Sequence, residues 1–284
     1  MRERKLIAES EVPRTRESLA RDLRQLGVRP GMTLLLHSSL SSLGWVCGGA
    51  VAVIQAFLDV LTEAGTLVMP THSGDCSDPA QWQRPAVPKE WLPELYAMMP
   101  AYDPALTPTR NMGQIPELFR TWPGVRRSAH PAKSFAAWGR YAEFVVEGHS
   151  FDNALGEESP LARIYDLEGW ILLLGVSYDC NTSFYLAQYR IAGWPRVEMA
   201  SPVRERGERI WKRYCDLSRA FTIPTSDGRT PLEELGWHFD QEGHTLRGRV
   251  GSAEAILLPQ RACVDFTARW FEERRAEIGL TGHA

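Results

Sequence analysis

Residues 171 to 188 read Ile-Leu-Leu-Leu-Gly-Val-Ser-Tyr-Asp-Cys-Asn-Thr-Ser-Phe-Tyr-Leu-Ala-Gln, and this stretch restricts the fold more than any other. Consecutive apolar residues before Gly175 leave no side for water, as in a strand covered on both faces. The pattern restarts as a helix over 182–192, behind Asn181 and Thr182. A strand end meeting a helix start is where open α/β sheets bind ligands, and unpaired amides at a helix start favour developing negative charge. Tyr185 and Gln188, three residues apart, share one face of that helix.

A second fully apolar run, Met32-Thr-Leu-Leu-Leu-His37, opens into Ser38-Ser-Leu-Ser-Ser-Leu-Gly44. Gly48-Gly49 then precede a helical pattern (Val51, Ile54, Phe57, Leu58, Leu61), and Thr66–Pro70 reads as the next strand. Strand, loop, helix, strand is the parallel crossover unit, so the expected class is α/β with a largely parallel sheet. Thr15 can cap a helix that runs to Leu26 and stops at Gly27. Residues 75–110 are rich in proline and carry Trp82, Trp91, Tyr96 and Tyr102, which predicts a partly helical excursion or flap over the sheet edge. A helix is expected over 111–122, a strand over 134–138, a short helix over 142–147 and an amphipathic helix over 262–275. Residues 197–222 fit strands or a helix equally. The whole chain, 1–284, reads as one domain.

Composition removes several function classes. No apolar stretch approaches the ~20 residues that span a bilayer, and the N-terminus lacks a secretory core, so the expected location is the cytoplasm. The five cysteines, at 47, 76, 180, 215 and 263, are odd in number and form no Cys-x-x-Cys pair, which fits reduced thiols and no metal site. A net charge of −3 gives no nucleic-acid footprint and mildly suits a cationic ligand.

Three constellations could carry chemistry. His37, Ser38, Ser39, Ser41 and Ser42 form a hydroxyl-rich loop after a buried strand, suited to the phosphate or amide groups of a cofactor; Gly48 and Gly49 would let backbone approach the same ligand. Arg126, Arg127, Ser128, His130, Lys133 and Ser134 gather cations, hydroxyls and an imidazole that would suit a phosphorylated cofactor, although such a block is as often a solvated loop. The third is Asp179, Asn181, Thr182, Tyr185 and Gln188, where a helix-face tyrosine is by itself ordinary core packing. His72 follows a strand and is a weaker candidate; His149, His238, His244 and His283 have no supporting context. The glycine spacings of P-loop and dinucleotide sites are missing, as is a Gly-x-Ser-x-Gly elbow.

Taken in order, Leu-Leu-Leu-His37-Ser-Ser-Leu-Ser-Ser-Leu-Gly, Gly48-Gly49, Thr-Leu-Val-Met-Pro70-Thr, Pro100-Ala-Tyr-Asp-Pro-Ala, Arg127-Ser-Ala-His-Pro-Ala-Lys-Ser-Phe-Ala-Ala-Trp-Gly139, Glu158-Ser-Pro-Leu-Ala-Arg163 and Leu-Leu-Leu-Gly175-Val-x-Tyr-Asp-x-Asn-Thr-Ser resemble the aminoglycoside 3-N-acetyltransferase family, over nearly the whole chain. The resemblance implies a three-layer α/β/α sandwich and transfer of an acetyl group from acetyl-coenzyme A to an amine of a cationic aminosugar antibiotic. It implies that His37, Ser38, Ser39, Ser42, Val46, Gly48, Gly49, Ser128, His130 and Ser134 hold coenzyme A, and that Asp179, Asn181 and Thr182 lie beside the reacting centre, with the proton taken by Tyr185, His37, His72 or a bound water. Where the family carries His-x-x-Glu, this chain has Tyr185 and Gln188. Two alternatives follow: a homologue that binds coenzyme A or antibiotic without acetylating, and a biosynthetic acyltransferase with Cys180 as nucleophile. No nucleic-acid or membrane partner is expected, and the tryptophan-rich excursion would either shape the acceptor pocket or form a homodimer contact.

Overall fold

Thr33–Ser38 (β1) is buried up to its last residue because it is hydrogen-bonded on both sides and covered on both faces. It runs parallel to Thr66–Pro70 (β2), with Leu34 opposite Leu67, and to Trp170–Leu174 (β5), with Leu35 opposite Ile171. Alternation splits the core: Leu34 and Leu36 point to one face, Leu35 to the other. The computed structural model describes residues 2–83, 85–217, 223 and 225–280.

Four further strands extend the sheet to seven, in the order β3-β4-β2-β1-β5-β9-β8. They are Arg126–Arg127 (β3), Phe135–Gly139 (β4), Leu246–Val250 (β8) and Ala253–Pro259 (β9), and each pairs antiparallel with its neighbour. The sheet is therefore mixed, with parallel pairing confined to β2, β1 and β5, and the expectation of a largely parallel sheet is corrected. Burial explains the misreading. Phe135–Gly139 is covered like a parallel strand, and apolar composition does not encode direction; the antiparallel strands β8 and β9 had no expectation in the sequence.

One face is covered by Arg16–Leu26 (α2), Gly49–Leu61 (α3) and Gln114–Phe119 (α5), the other by Ala142–Val146 (α6), Pro160–Asp166 (α7), Ser183–Tyr189 (α8), Pro231–Asp240 (α9) and Gln260–Glu273 (α10). The start of α2 is set locally: the Thr15 amide donates to Ser18 Oγ (2.9 Å) and the Ser18 amide to Thr15 Oγ1 (3.2 Å), while Gly27 at φ 115° ends it. Arg2–Glu9 (α1) precedes this helix, and Ser10 Oγ, just after it, accepts from the Trp45 amide at 2.9 Å.

The excursion contains short 3-10 turns and one helix, Leu92–Met98 (α4). It docks on a separate hairpin, Arg196–Glu205 (β6) and Glu208–Leu217 (β7), which resolves the ambiguous segment as strands; 218–222 lie outside the described residues. Trp211 Nε1 and Arg209 donate to the Tyr96 carbonyl, the Tyr96 and Trp211 rings meet edge-on at 5.0 Å, and the Tyr102 amide donates to the Pro202 carbonyl at 2.8 Å.

Because α3 carries the chain from β1 to β2 on one side while β5 adds on the other, the C-terminal end of β1 is a topological switch point. Open α/β sheets form a crevice at such points. The loops after β1, β2 and β5 meet there.

Candidate functional site

A cleft of about 830 Å³ occupies this position. The end of β1 contributes His37, Ser38, Ser39 and Ser41; the end of β2 contributes Pro70 and His72; the loop after β5 and helix α8 contribute Val176, Asp179, Cys180, Thr182 and Tyr185. Val46 and Gly49 enter from the start of α3, residues 111–116 form another wall, and Glu3 and Leu6 of α1 line the mouth.

The serine loop is tightly specified. Ser42 Oγ donates to Ser39 Oγ (2.9 Å) and to the Gly175 carbonyl (3.1 Å), and the Ser39 amide donates to the Leu174 carbonyl (3.0 Å), which ties the β1 loop to the end of β5. Gly175 sits at φ 67°, and a Cβ there would stand 2.4 Å from Ser42 Cβ, so only glycine allows this approach. Ser42 consequently braces the loop from behind and lies outside the cleft, while Ser38, Ser39 and Ser41 face it.

His37 is buried, and burial alone pushes its imidazole down to about 3, so the ring is neutral at pH 7. Its Nε2 lies 3.4 Å from Thr182 Oγ1, joining the end of β1 to the start of α8. Asp179 is exposed to the cleft and accepts a hydrogen bond from the Thr230 hydroxyl. Tyr185 is half-buried on the cleft wall.

Other sequence candidates lie elsewhere. Asn181 is fully buried; its Oδ1 accepts from the Ser183 amide (3.1 Å), so the first amide of α8 is already satisfied, and its Nδ2 approaches Cys263 Sγ (3.5 Å). Gln188 is 1 % exposed and lies behind Tyr185, outside the cleft, because a spacing of three places the two side chains at different heights on one helix face. Gly48 turns the chain at φ 86° before α3 without lining the cleft.

The Ser128, His130 and Ser134 block is likewise outside. Ser134 Oγ donates to the Thr71 carbonyl (2.7 Å), and Ser128 Oγ bonds the Phe135 amide (2.9 Å) and His149 Nδ1 (2.9 Å). His130 accepts from the Lys133 amide and packs on His149, with ring centroids 4.9 Å apart, beside Phe151 and Tyr214. Ser128, His130 and Ser134 are at most 1 % exposed, and their hydrogen bonds brace the excursion and hairpin. Arg127 reinforces that bracing: its guanidinium donates to the Thr71, Pro104 and Thr107 carbonyls and to Ser73 Oγ, and lies over the Tyr102 ring. Arg126 pairs with Glu143 at 3.4 Å.

Sequence reasoning missed Glu3, Leu6 and the 111–116 wall, whose residues carry no chemical signature, and gave His149 no role although it anchors the buried block. No group of three or more possible metal ligands occurs among the described residues. No helix among them is long and apolar enough to cross a membrane.

Residues 35–272 match the family described as aminoglycoside 3-N-acetyltransferase. The chain belongs to that family. It is 45 % identical over 269 residues to the SPbeta prophage-derived aminoglycoside N(3')-acetyltransferase-like protein YokD of Bacillus subtilis, with 94 % of this chain and 96 % of YokD covered. The YokD crystal structure superposes with a TM-score of 0.90, covering 96 % of this chain and 99 % of YokD. Two further acetyltransferase structures carry ligands. AAC-VIa bound to sisomicin is 30 % identical (TM-score 0.82; 93 % and 99 % of the two chains), and AAC-IIIb in binary complex with CoASH is 28 % identical (TM-score 0.80; 93 % and 98 %).

Proposed function

We propose that this protein is a coenzyme A dependent N-acetyltransferase acting on an amine of an aminoglycoside or a related cationic natural product. The observation that carries this reading is the convergence, at one sheet-end cleft, of a hydroxyl-lined arm (Ser38, Ser39, Ser41) and a reacting cluster (His37, Thr182, Asp179, Tyr185). Membership in the family, and relatives solved with CoASH and with sisomicin, support the two substrates. Residues 1–284 are read as one domain, and because acyl-coenzyme A is a cytoplasmic metabolite, the reading puts the protein there.

In the transfer, the amine nitrogen attacks the thioester carbon, a C–N bond forms, the C–S bond breaks, and the proton lost from nitrogen ends on the departing thiolate. A neutral His37 can donate Nε2–H to Thr182 Oγ1, which leaves the Thr182 hydroxyl proton free for the oxyanion that develops on the thioester. The Asp179 carboxylate, exposed in the cleft, suits the charge of a cationic acceptor.

Our finer reading is that Tyr185 and Gln188 replace the family's usual His-x-x-Glu pair. A phenol, with an ordinary pKa of about 10, is a weak base at neutral pH, and losing a general base costs about 100- to 10,000-fold. Catalysis would then depend on the fraction of amine already neutral. The burial of Gln188 favours a second reading, in which the cleft binds its ligands with little turnover.

Thiol release from acetyl-coenzyme A, measured across an aminoglycoside panel, tests both. Turnover with any amine supports the transferase; none at high enzyme concentration, alongside micromolar binding in calorimetry, leaves the binding reading.

A further inference from the structure

A coenzyme A thioester has a neutral pantetheine arm and a strongly anionic nucleotide half, whose phosphomonoester alone carries about −1.5 to −2 charges at pH 7. The cleft treats these halves unequally. Among its described lining residues there is no lysine or arginine, and its carboxylates are Glu3 and Asp179. Glu3 stands at the mouth, where its Oε1 accepts from Trp45 Nε1 at 3.2 Å. Arg4 and Lys5, beside Glu3 on α1, are exposed and lie outside the cleft lining. Arg127 is turned into the excursion, Arg126 pairs with Glu143, Lys5 pairs with Glu9 and Arg14 donates to Ser252 Oγ.

What the cleft does offer is matched to the arm. Ser38, Ser39 and Ser41 supply hydroxyls for amide groups, and Leu36, Leu40 and Val46 supply apolar surface for a branched aliphatic segment. Ser38 Oγ is buried and has no hydrogen-bond partner among the described residues. A phosphate driven between two carboxylates would lose hydration without gaining a counter-charge. Left at the mouth, it is screened by salt within about 8–10 Å.

We propose that the cleft recognises its thioester donor through the pantetheine arm and is nearly indifferent to the nucleotide, so that its donor class is pantetheine thioesters in general. The proposal rests on the coenzyme A reading above and specifies which half of that molecule is bound. In the transfer the same bonds change whichever donor is used: nitrogen acylated, C–S cleaved, thiol released.

The test compares coenzyme A, dephospho-coenzyme A and pantetheine by calorimetry, and their S-acetyl forms as donors to an aminoglycoside. Dissociation constants of the three thiols within about tenfold of one another, a spread of no more than about 1.4 kcal/mol, are expected. Coenzyme A affinity should also change by less than about threefold between about 50 and about 500 mM sodium chloride, since no lysine or arginine is among the described residues lining the cleft. Pantetheine binding more than about tenfold weaker than coenzyme A, or a steep salt dependence, overturns the proposal while leaving the transferase reading intact. Failure of all three thiols to bind overturns both. Equal binding without turnover of any S-acetyl donor supports the proposal and removes only the catalytic reading.

Discussion

At the level of single residues, the proposed transfer rests on Thr182 with His37, whose Oγ1 and Nε2 lie 3.4 Å apart. Thr182→Val removes the hydroxyl and keeps the shape, so kcat is expected to fall by about 10- to 1,000-fold with KM for the donor little changed, whereas Thr182→Ser should retain most activity; steady-state kinetics of both variants decide it. If the amine must arrive neutral, log kcat should climb with a slope near one up to the acceptor's own pKa, and replacing one antibiotic by another of lower amine pKa should move that profile with it. A profile fixed across acceptors would instead point to an enzyme base. Gln188→Glu alone places a carboxyl in a fully buried position and should destabilise, by about 1–3 kcal/mol in urea denaturation; adding Tyr185→His supplies a partner, recovers part of that loss and raises turnover by about 100-fold or more. That Thr182, His37, Asp179 and Tyr185 line the cleft was legible in the sequence because they sit where apolar runs stop, and strand ends are where side chains become available. The internal hydrogen bonds of Ser128, His130 and Ser134 were not, because composition does not show which groups a polar side chain bonds.

At the level of elements, the β1 loop and the end of β5 form one unit through Ser39, Ser42 and Gly175. Gly175→Ala forces a methyl group to 2.4 Å from Ser42 Cβ and strains a positive φ, so a loss of about 1–3 kcal/mol and a weakening of coenzyme A binding by about tenfold or more are expected. Ser42→Gly in the same background relieves the contact, and calorimetry of the two variants separates steric from conformational cost. The helices with local signals, such as α2 between Thr15 and Gly27, were readable to the residue. Strand direction was not: β4 and β9 are set antiparallel by where their long connections return, which is a property of the assembled sheet. The hairpin of β6 and β7 escaped for another reason. Its residues alternate only weakly between exposed and buried, since its partner is the excursion and not the main core.

For the whole molecule, three buried imidazoles govern the response to acid. Burial presses His37 to about 3 and His149 to about 4, and His130, also beside His149 and Lys133, lies well below the ordinary value of 6.5. Each binds a proton more readily in the unfolded chain. Their neutral forms are accommodated fully above pH 6.5, and stability is lost as pH falls from there towards the folded values, by up to about 1.4 kcal/mol per unit for each histidine. Urea midpoints between pH 7 and 5 should fall steeply, and His149→Gln should flatten the slope by about one proton; an unchanged slope would exclude this residue as a contributor. Both faces of the sheet and the position of the crevice were legible in the sequence, because two-sided apolar strands demand two layers of helices and a crossover creates a switch point. The mouth of the crevice was not, since it is finished by Glu3 and Leu6 from a charged N-terminal helix without apolar periodicity. That placement bears on how the protein should be handled: changes to Glu3 or Leu6 alter the rim of the cleft, so donor affinities should be compared on protein in which this helix is untouched.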